Sequence, residues 1–303
     1  MQRLLSVAIA PNSHKTYTTG WNSFCRFLQC RSVSFGPATV MNVREFVASL
    51  SLRRLAPTTI ATYVAGVGYY HKINGWPDPT KDFLVSKLLE GCRRDCPSVD
   101  NRLPISIAVL ERICLALPQV CSSQFECKLF GAAVLSAFFG FMRISEFAAD
   151  SRIKVNDSIL MLSDLQFGNS QNVVFLTFRH SKANQTGGPQ TICLVSSQNA
   201  TICPVSALRE FIKIRPIGEG TLFCHFDRSP LTKYQFNAII KKALSFCGLQ
   251  RLHFTSHSFR IGAATTAFEL GVPQEGIQRM GRWRSDSVFS YIRPVQASIF
   301  PGV

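Results

Sequence analysis

The run Val-Val-Phe-Leu-Thr-Phe-Arg-His-Ser-Lys-Ala-Asn-Gln-Thr-Gly-Gly-Pro-Gln-Thr-Ile-Cys-Leu-Val, residues 173–195, reads as two short strands joined by a polar turn. Val173–Phe178 and Thr191–Val195 are rich in β-branched and aromatic residues, and the Asn, Gly and Pro between them predict a hairpin. Ile159–Leu162, just upstream, has the same texture and is expected to be a third strand. On either side the pattern changes to apolar residues at helical spacing. It does so over Ile107–Leu117 and Glu126–Phe139 before the hairpin, and over Pro204–Ile214, Lys233–Cys247, Ser258–Leu270 and Pro273–Met280 after it. A small antiparallel sheet set among helices is therefore expected, a mainly α (α+β) fold.

The first hundred residues read as helices only. Tyr17, Trp21, Phe24 and Leu28 share one face of a helix over Ser13–Leu28, with Ser13 as its N-cap, and further helices are expected over Val40–Leu50, Thr58–His71 and Lys81–Cys92. Gly75–Pro79 is a loop. The polar run from Cys96-Pro97 to Pro104, bracketed by two prolines, is the best linker and predicts a helical domain over 1–98 and a second domain over 99–303.

At 303 residues, 46% hydrophobic and only 17% charged, the chain has material for a substantial core and too little charge for disorder. Its 33 Lys and Arg against 18 Asp and Glu give a net charge of +15, spread over both halves, which favours a polyanionic partner such as nucleic acid or an anionic membrane face. Eleven cysteines at irregular spacing point to free thiols in a reducing compartment. The apolar run behind Arg3 is short for a secretory signal. The longest apolar stretch, Leu129–Met142, is broken by Gly131 and Gly140 and runs into Arg143, so no membrane span is expected.

No Gly-rich phosphate loop ending in Lys-Ser/Thr, no Gly-x-Ser-x-Gly elbow and no His-Glu-x-x-His occurs. Cys92 with Cys96, and His253 with His257, stand four apart, but no second pair lies at zinc-finger spacing, and no metal is expected. What remains is a set of cations at element boundaries. Arg143 and Glu146 stand three apart: an ordinary ion pair, or an arginine whose planar fork of donors suits phosphate. His257 and Arg260 open a helix behind Ser256, a good N-cap, and with the helix N-terminus they build either a simple cap or an anion site. Lys182 sits at the hairpin tip, where most lysines are merely solvated. Tyr291 stands near Arg282, Trp283, Arg284 and Arg293; such a tyrosine is commonly packing, but among arginines its oxygen is a candidate nucleophile. Arginines, a histidine, a lysine and a phenol together form a metal-free kit for phosphoryl transfer, with cations stabilising the pentavalent phosphorus that the phenol oxygen attacks.

The order of these motifs resembles the tyrosine recombinase (phage-integrase-like) superfamily over nearly the whole chain. The wording His-Ser-Phe-Arg-Ile-Gly-Ala-Ala-Thr-Thr at 257–266, Gly-Arg-Trp-Arg-Ser-Asp at 281–286 and Tyr-Ile-Arg at 291–293 is most similar to recombinases of DIRS-type retrotransposons. The resemblance implies an N-terminal helical SAM-like core-binding domain and a C-terminal catalytic domain that clamp double-stranded DNA. It also implies self-association into a tetramer on DNA, a mobile-element origin, a nuclear location and no cofactor. It assigns Arg143 and Arg260 to the scissile phosphate, Lys182 to the leaving oxygen, His257 to proton transfer, Tyr291 to attack and Glu146 to support of Arg143. The last active-site position falls to Arg282 or Trp283. Two other readings share these residues: a domesticated sequence-specific DNA-binding protein without cleavage, and a type IB topoisomerase.

Overall fold

The computed structural model describes residues 8–31, 37–97, 100–153, 155–170, 172–179 and 188–293. The chain divides into two compact units, Met1–Asp100 and Asn101–Val303.

The first unit holds four helices: α1 (Pro11–Gln29), α2 (Val40–Leu52), α3 (Pro57–Ile73) and α4 (Phe83–Asp95). Their apolar faces close on Phe24, Val43, Phe46, Val47, Leu50, Ile60, Val64 and Val67, all buried. α1 and α3 approach backbone to backbone. A Cβ on Gly20 would lie 2.7 Å from Tyr63 Cα, and one on Gly66 would lie 2.6 Å from the Tyr17 carbonyl, so both positions need glycine. Trp21 stacks on Tyr70 across the same crossing at 5.1 Å. The chain enters α1 at Ala10, with no side-chain cap, rather than at Ser13, which lies inside the helix. α2 is held by Thr39, whose hydroxyl accepts from Asn42 N while Asn42 Oδ1 accepts from Thr39 N, and α4 by Asp82.

The second unit contains α5 (Ile107–Val120), α6 (Gln124–Phe139), the single turn α7 (Ile144–Phe147), β1 (Leu165–Phe167), β2 (Val173–Phe178) and β3 (Gln190–Val195). It continues with α8 (Pro204–Ile214), α9 (Lys233–Phe246), α10 (His257–Glu269), α11 (Gln274–Gly281) and a 3₁₀ segment over Asp286–Tyr291. α6 is apolar nearly all round because it runs through the middle of the core; Leu129, Phe130, Ala133, Val134, Ala137 and Phe138 are buried. The sheet is antiparallel in the order β1-β2-β3, with Leu165 opposite Leu176 and Val174 opposite Leu194. Val174, Leu176 and Phe178 face the core, as the period of two requires.

The first strand is Leu165–Phe167, not Ile159–Leu162. Ile159 and Leu160 are buried, but Leu160 makes single backbone bonds to Glu146 and Leu222 instead of a ladder. Asp164 then accepts from Met161 N and turns the chain through Leu162–Asp164 before pairing begins. The hairpin is as expected over Val173–Phe178 and starts one residue early at Gln190. α10 packs directly on the chain entering α5: a Cβ on Gly262 would fall 1.9 Å from the Ile105 carbonyl oxygen.

Candidate active site

Three chain reversals build the site. α6 ends at Gly140, and Phe141 takes the left-handed conformation (φ 49°), with Met142 N donating to Ala137 O. This is the closure usually made with glycine, and it sets Arg143 at the head of α7. α11 ends the same way, with Arg282 left-handed (φ 57°) and Trp283 N donating to Gln278 O. α10 supplies His257 and Arg260 from its first turn. Ser256 precedes that helix but makes no capping bond; Thr255 Oγ1 accepts from His257 N, and Ser258 Oγ accepts from Thr255 N.

Arg260 is fully buried. It donates through its two terminal nitrogens to the carbonyls of Phe141 and Gly281, while its Nε has no partner. Its guanidinium carbon lies 4.0 Å from the centroid of the Trp283 ring and 5.5 Å from that of Tyr291. Burial, with Arg143 beside it, brings its pKa down to about 9, so it remains charged at neutral pH.

Glu146 is buried and receives two arginines. Arg143 donates from its backbone N to Oε2 at 2.9 Å and from its side chain to Oε1 at 3.1 Å, and Arg282 also donates to Oε2, at 2.7 Å. Arg282 also donates to Gly140 O at 3.1 Å and lies 3.9 Å over the Phe178 ring. Its pKa is lowered by burial, with Glu146 acting in the opposite sense. Two guanidiniums therefore share one carboxylate and the charge of Arg260 adds to theirs, an excess of positive charge in a buried setting that calls for an anion. Arg215 shows the contrast: it is buried too, but four carbonyl contacts, to Leu222, Pro216, Gly218 and Thr221, use its Nε and both terminal nitrogens.

Tyr291 ends the 3₁₀ segment and packs on the same cluster. Its Oη lies 3.1 Å from His257 Nε2, and its ring centroid is 5.0 Å from that of Trp283. Trp283 is buried, its Nε1 has no hydrogen-bond partner, and a Cβ on Gly281 would fall 1.7 Å from its ring.

The structure thus brings Arg143, Glu146, His257, Arg260, Arg282, Trp283 and Tyr291 together. Lys182 lies outside the described residues. Of the two zinc-like pairs, His253 Nδ1 contacts Asn101 Oδ1 at 2.6 Å while His257 meets Tyr291. Sequence reasoning missed the carbonyls of Gly140, Phe141 and Gly281 that hold the arginines, although glycines ending two helices were a signal. It also missed Thr265. That buried hydroxyl donates to Tyr291 O at 3.3 Å and accepts from Arg293 N at 3.0 Å, clasping the segment that carries the tyrosine. A hydroxyl in the middle of an apolar helix was its only trace.

Comparison with known proteins shows the fold and the family. An integrase/recombinase xerD homolog of Selenomonas ruminantium is 26% identical over 310 residues, spanning 99% of this chain and 86% of that protein. Among solved structures, the XerH site-specific recombinase bound to palindromic difH substrate matches with a TM-score of 0.64 at 17% identity, over 91% of this chain and 74% of that one. A lambda integrase dimer bound to a COC′ core site matches with a TM-score of 0.63 at 15% identity, over 95% and 74%. These structural likenesses establish the fold, helices around a small antiparallel sheet. The phage integrase family matches residues 137–293, a span that runs from the last turn of α6 through Tyr291, and the chain belongs to that family.

Proposed function

We propose that the chain is a site-specific recombinase that cuts and rejoins double-stranded DNA through a 3′-phosphotyrosyl link on Tyr291. The observation that carries this reading is the phenol oxygen of Tyr291 at hydrogen-bond distance from His257, beside the buried Arg260. Phosphodiester cleavage needs a nucleophile, a base within about 3 Å of it, and fixed positive charge where the phosphorus gains negative charge. The site supplies all three from its own side chains, and the family's chemistry uses no metal ion.

In this mechanism Arg143 and Arg260 hold the non-bridging oxygens, the Trp283 and Tyr291 rings moving aside from Arg260 as the strand enters. Tyr291 Oη bonds to phosphorus and its proton passes to His257 Nε2. The bond to the 5′ oxygen breaks, and that oxygen takes a proton from Lys182. The energy of the broken bond is kept in the new one, so a second 5′-hydroxyl can reverse the step without ATP.

Exchange between two duplexes requires two strands cut on each, hence four tyrosines and a tetramer on DNA. The wording at 257–266, 281–286 and 291–293 supports a closer kinship with DIRS-type elements, a mobile-element origin and, with it, a nuclear location. The positive charge of both units supports DNA contacts from each.

Incubation with a randomised pool of nicked duplexes tests the reading on a denaturing gel. A covalent protein–DNA species that is lost in Tyr291→Phe is expected. Tight binding without it would leave a DNA-binding protein only, and relaxation of supercoils by the monomer without strand exchange would point to a topoisomerase.

A further inference from the structure

We infer that Arg282 is a positioning residue, which acts on the scissile phosphate only through Glu146 and Arg143 and leaves the contact with nucleophile and phosphate in this region to Trp283. The inference rests on the recombinase reading. Arg282 and Trp283 are adjacent, and spacing alone assigns the last active-site position to neither. The left-handed backbone at Arg282 sends the two side chains to different places.

Trp283 lies against Arg260 and Tyr291. Arg282 stacks on Phe178 of β2, and its terminal nitrogens are committed to Glu146 and to Gly140 O. Its side chain is 2% exposed, against 15% for Arg143. A cleft of about 550 Å³ between β3 and α11 is bordered by both Arg282 and Trp283, yet it leaves the Arg282 side chain covered.

The geometry gives Arg282 one task. With the Arg143 backbone N it fixes Oε2 of Glu146, so that Oε1 is presented to the Arg143 side chain. Its bond to Gly140 O anchors the guanidinium for that role, and its unpartnered Nε is buried. A residue of this kind sets the aim of Arg143 without touching the phosphate.

The test uses the full chain, the nicked duplexes that trap the adduct, and both the rate of adduct formation and the DNA affinity. Arg282→Met and Glu146→Gln should each slow the adduct about 10- to 100-fold, the range typical of residues that orient a reacting group. DNA affinity should stay within about twofold. The double variant should be no slower than the slower single one, because both changes break the same link. Arg282→Lys, which keeps the charge on Glu146, should recover most of the rate.

Multiplying effects in the double variant, or a loss of affinity in Arg282→Met that matches its loss of rate, would overturn the inference, since either places Arg282 on the phosphate. If Arg282→Met does not fold, Arg282→Lys in the Glu146→Gln background replaces it. No further slowing is expected there, and a further tenfold slowing overturns the inference. Absence of any adduct with the wild type would overturn the recombinase reading itself, whereas a wild-type adduct with multiplying effects overturns only the role of Arg282.

Discussion

His257 Nε2 and Tyr291 Oη stand 3.1 Å apart, on a helix and a 3₁₀ segment separated by 34 positions in the chain. The contact joins the phenol of the site to an imidazole nitrogen able to take its proton. Replacing His257 by Ala removes the proton acceptor and leaves the arginines in place. Rapid-quench measurement of the adduct should show a rate about 100-fold lower, within the range of general acid–base catalysis, and an unchanged rate would remove His257 from the mechanism.

Thr265 clasps the backbone on both sides of Ile292, at Tyr291 O and Arg293 N. Thr265→Val keeps the shape and removes both bonds. Stability should fall by about 1–2 kcal/mol, the usual worth of such bonds. Adduct formation should slow further than that loss explains, because the tyrosine segment is no longer held. Thermal melting and the trapping rate, read on the same samples, separate the two effects.

Gly281 has no room for a side chain, its Cβ position lying 1.7 Å from the Trp283 ring. Gly281→Ala must push that ring off Arg260 and Tyr291. A loss of about 1–3 kcal/mol in stability is expected from overpacking, together with a change in Trp283 fluorescence in a chain whose Trp21 and Trp76 are replaced by Phe. Unchanged emission would show that the ring had not moved.

Much of this architecture was legible in the sequence because its signals were local. The period of two at Val173–Phe178 and the apolar faces of Trp21, Phe24 and Leu28 announce strand and helix directly. Ile159–Leu162 misled because burial of an apolar run was satisfied by isolated bonds to Glu146 and Leu222, partners far away in the chain. Ser13 and Ser256 misled because a good capping residue can lie beside a helix start that other groups close. The choice between Arg282 and Trp283 was illegible for a sharper reason. It depends on a left-handed backbone angle at an arginine, where glycine or asparagine is the usual mark of such a turn.

Arg260 makes the site sensitive to alkaline pH. Burial and the neighbouring Arg143 place its pKa at about 9 in the folded chain, well below its ordinary value. The unfolded chain therefore binds this proton more tightly, and as pH rises through 9 this group alone makes folding more favourable. Function should move the other way. Adduct formation should fall above pH 9 as the phosphate loses a cation, and Arg260→Lys should alter that limb of the profile. A profile flat through pH 10 would show that Arg260 keeps its charge.

The central claim is that Tyr291 Oη becomes the atom joined to DNA. Trapping the adduct on a nicked duplex, digesting the protein and sequencing the DNA-linked peptide by mass spectrometry measures this directly. The account predicts a 3′-phosphate on Tyr291 and a free 5′-hydroxyl on the other fragment. A link to any other residue, or a phosphate left on the 5′ side, would contradict it.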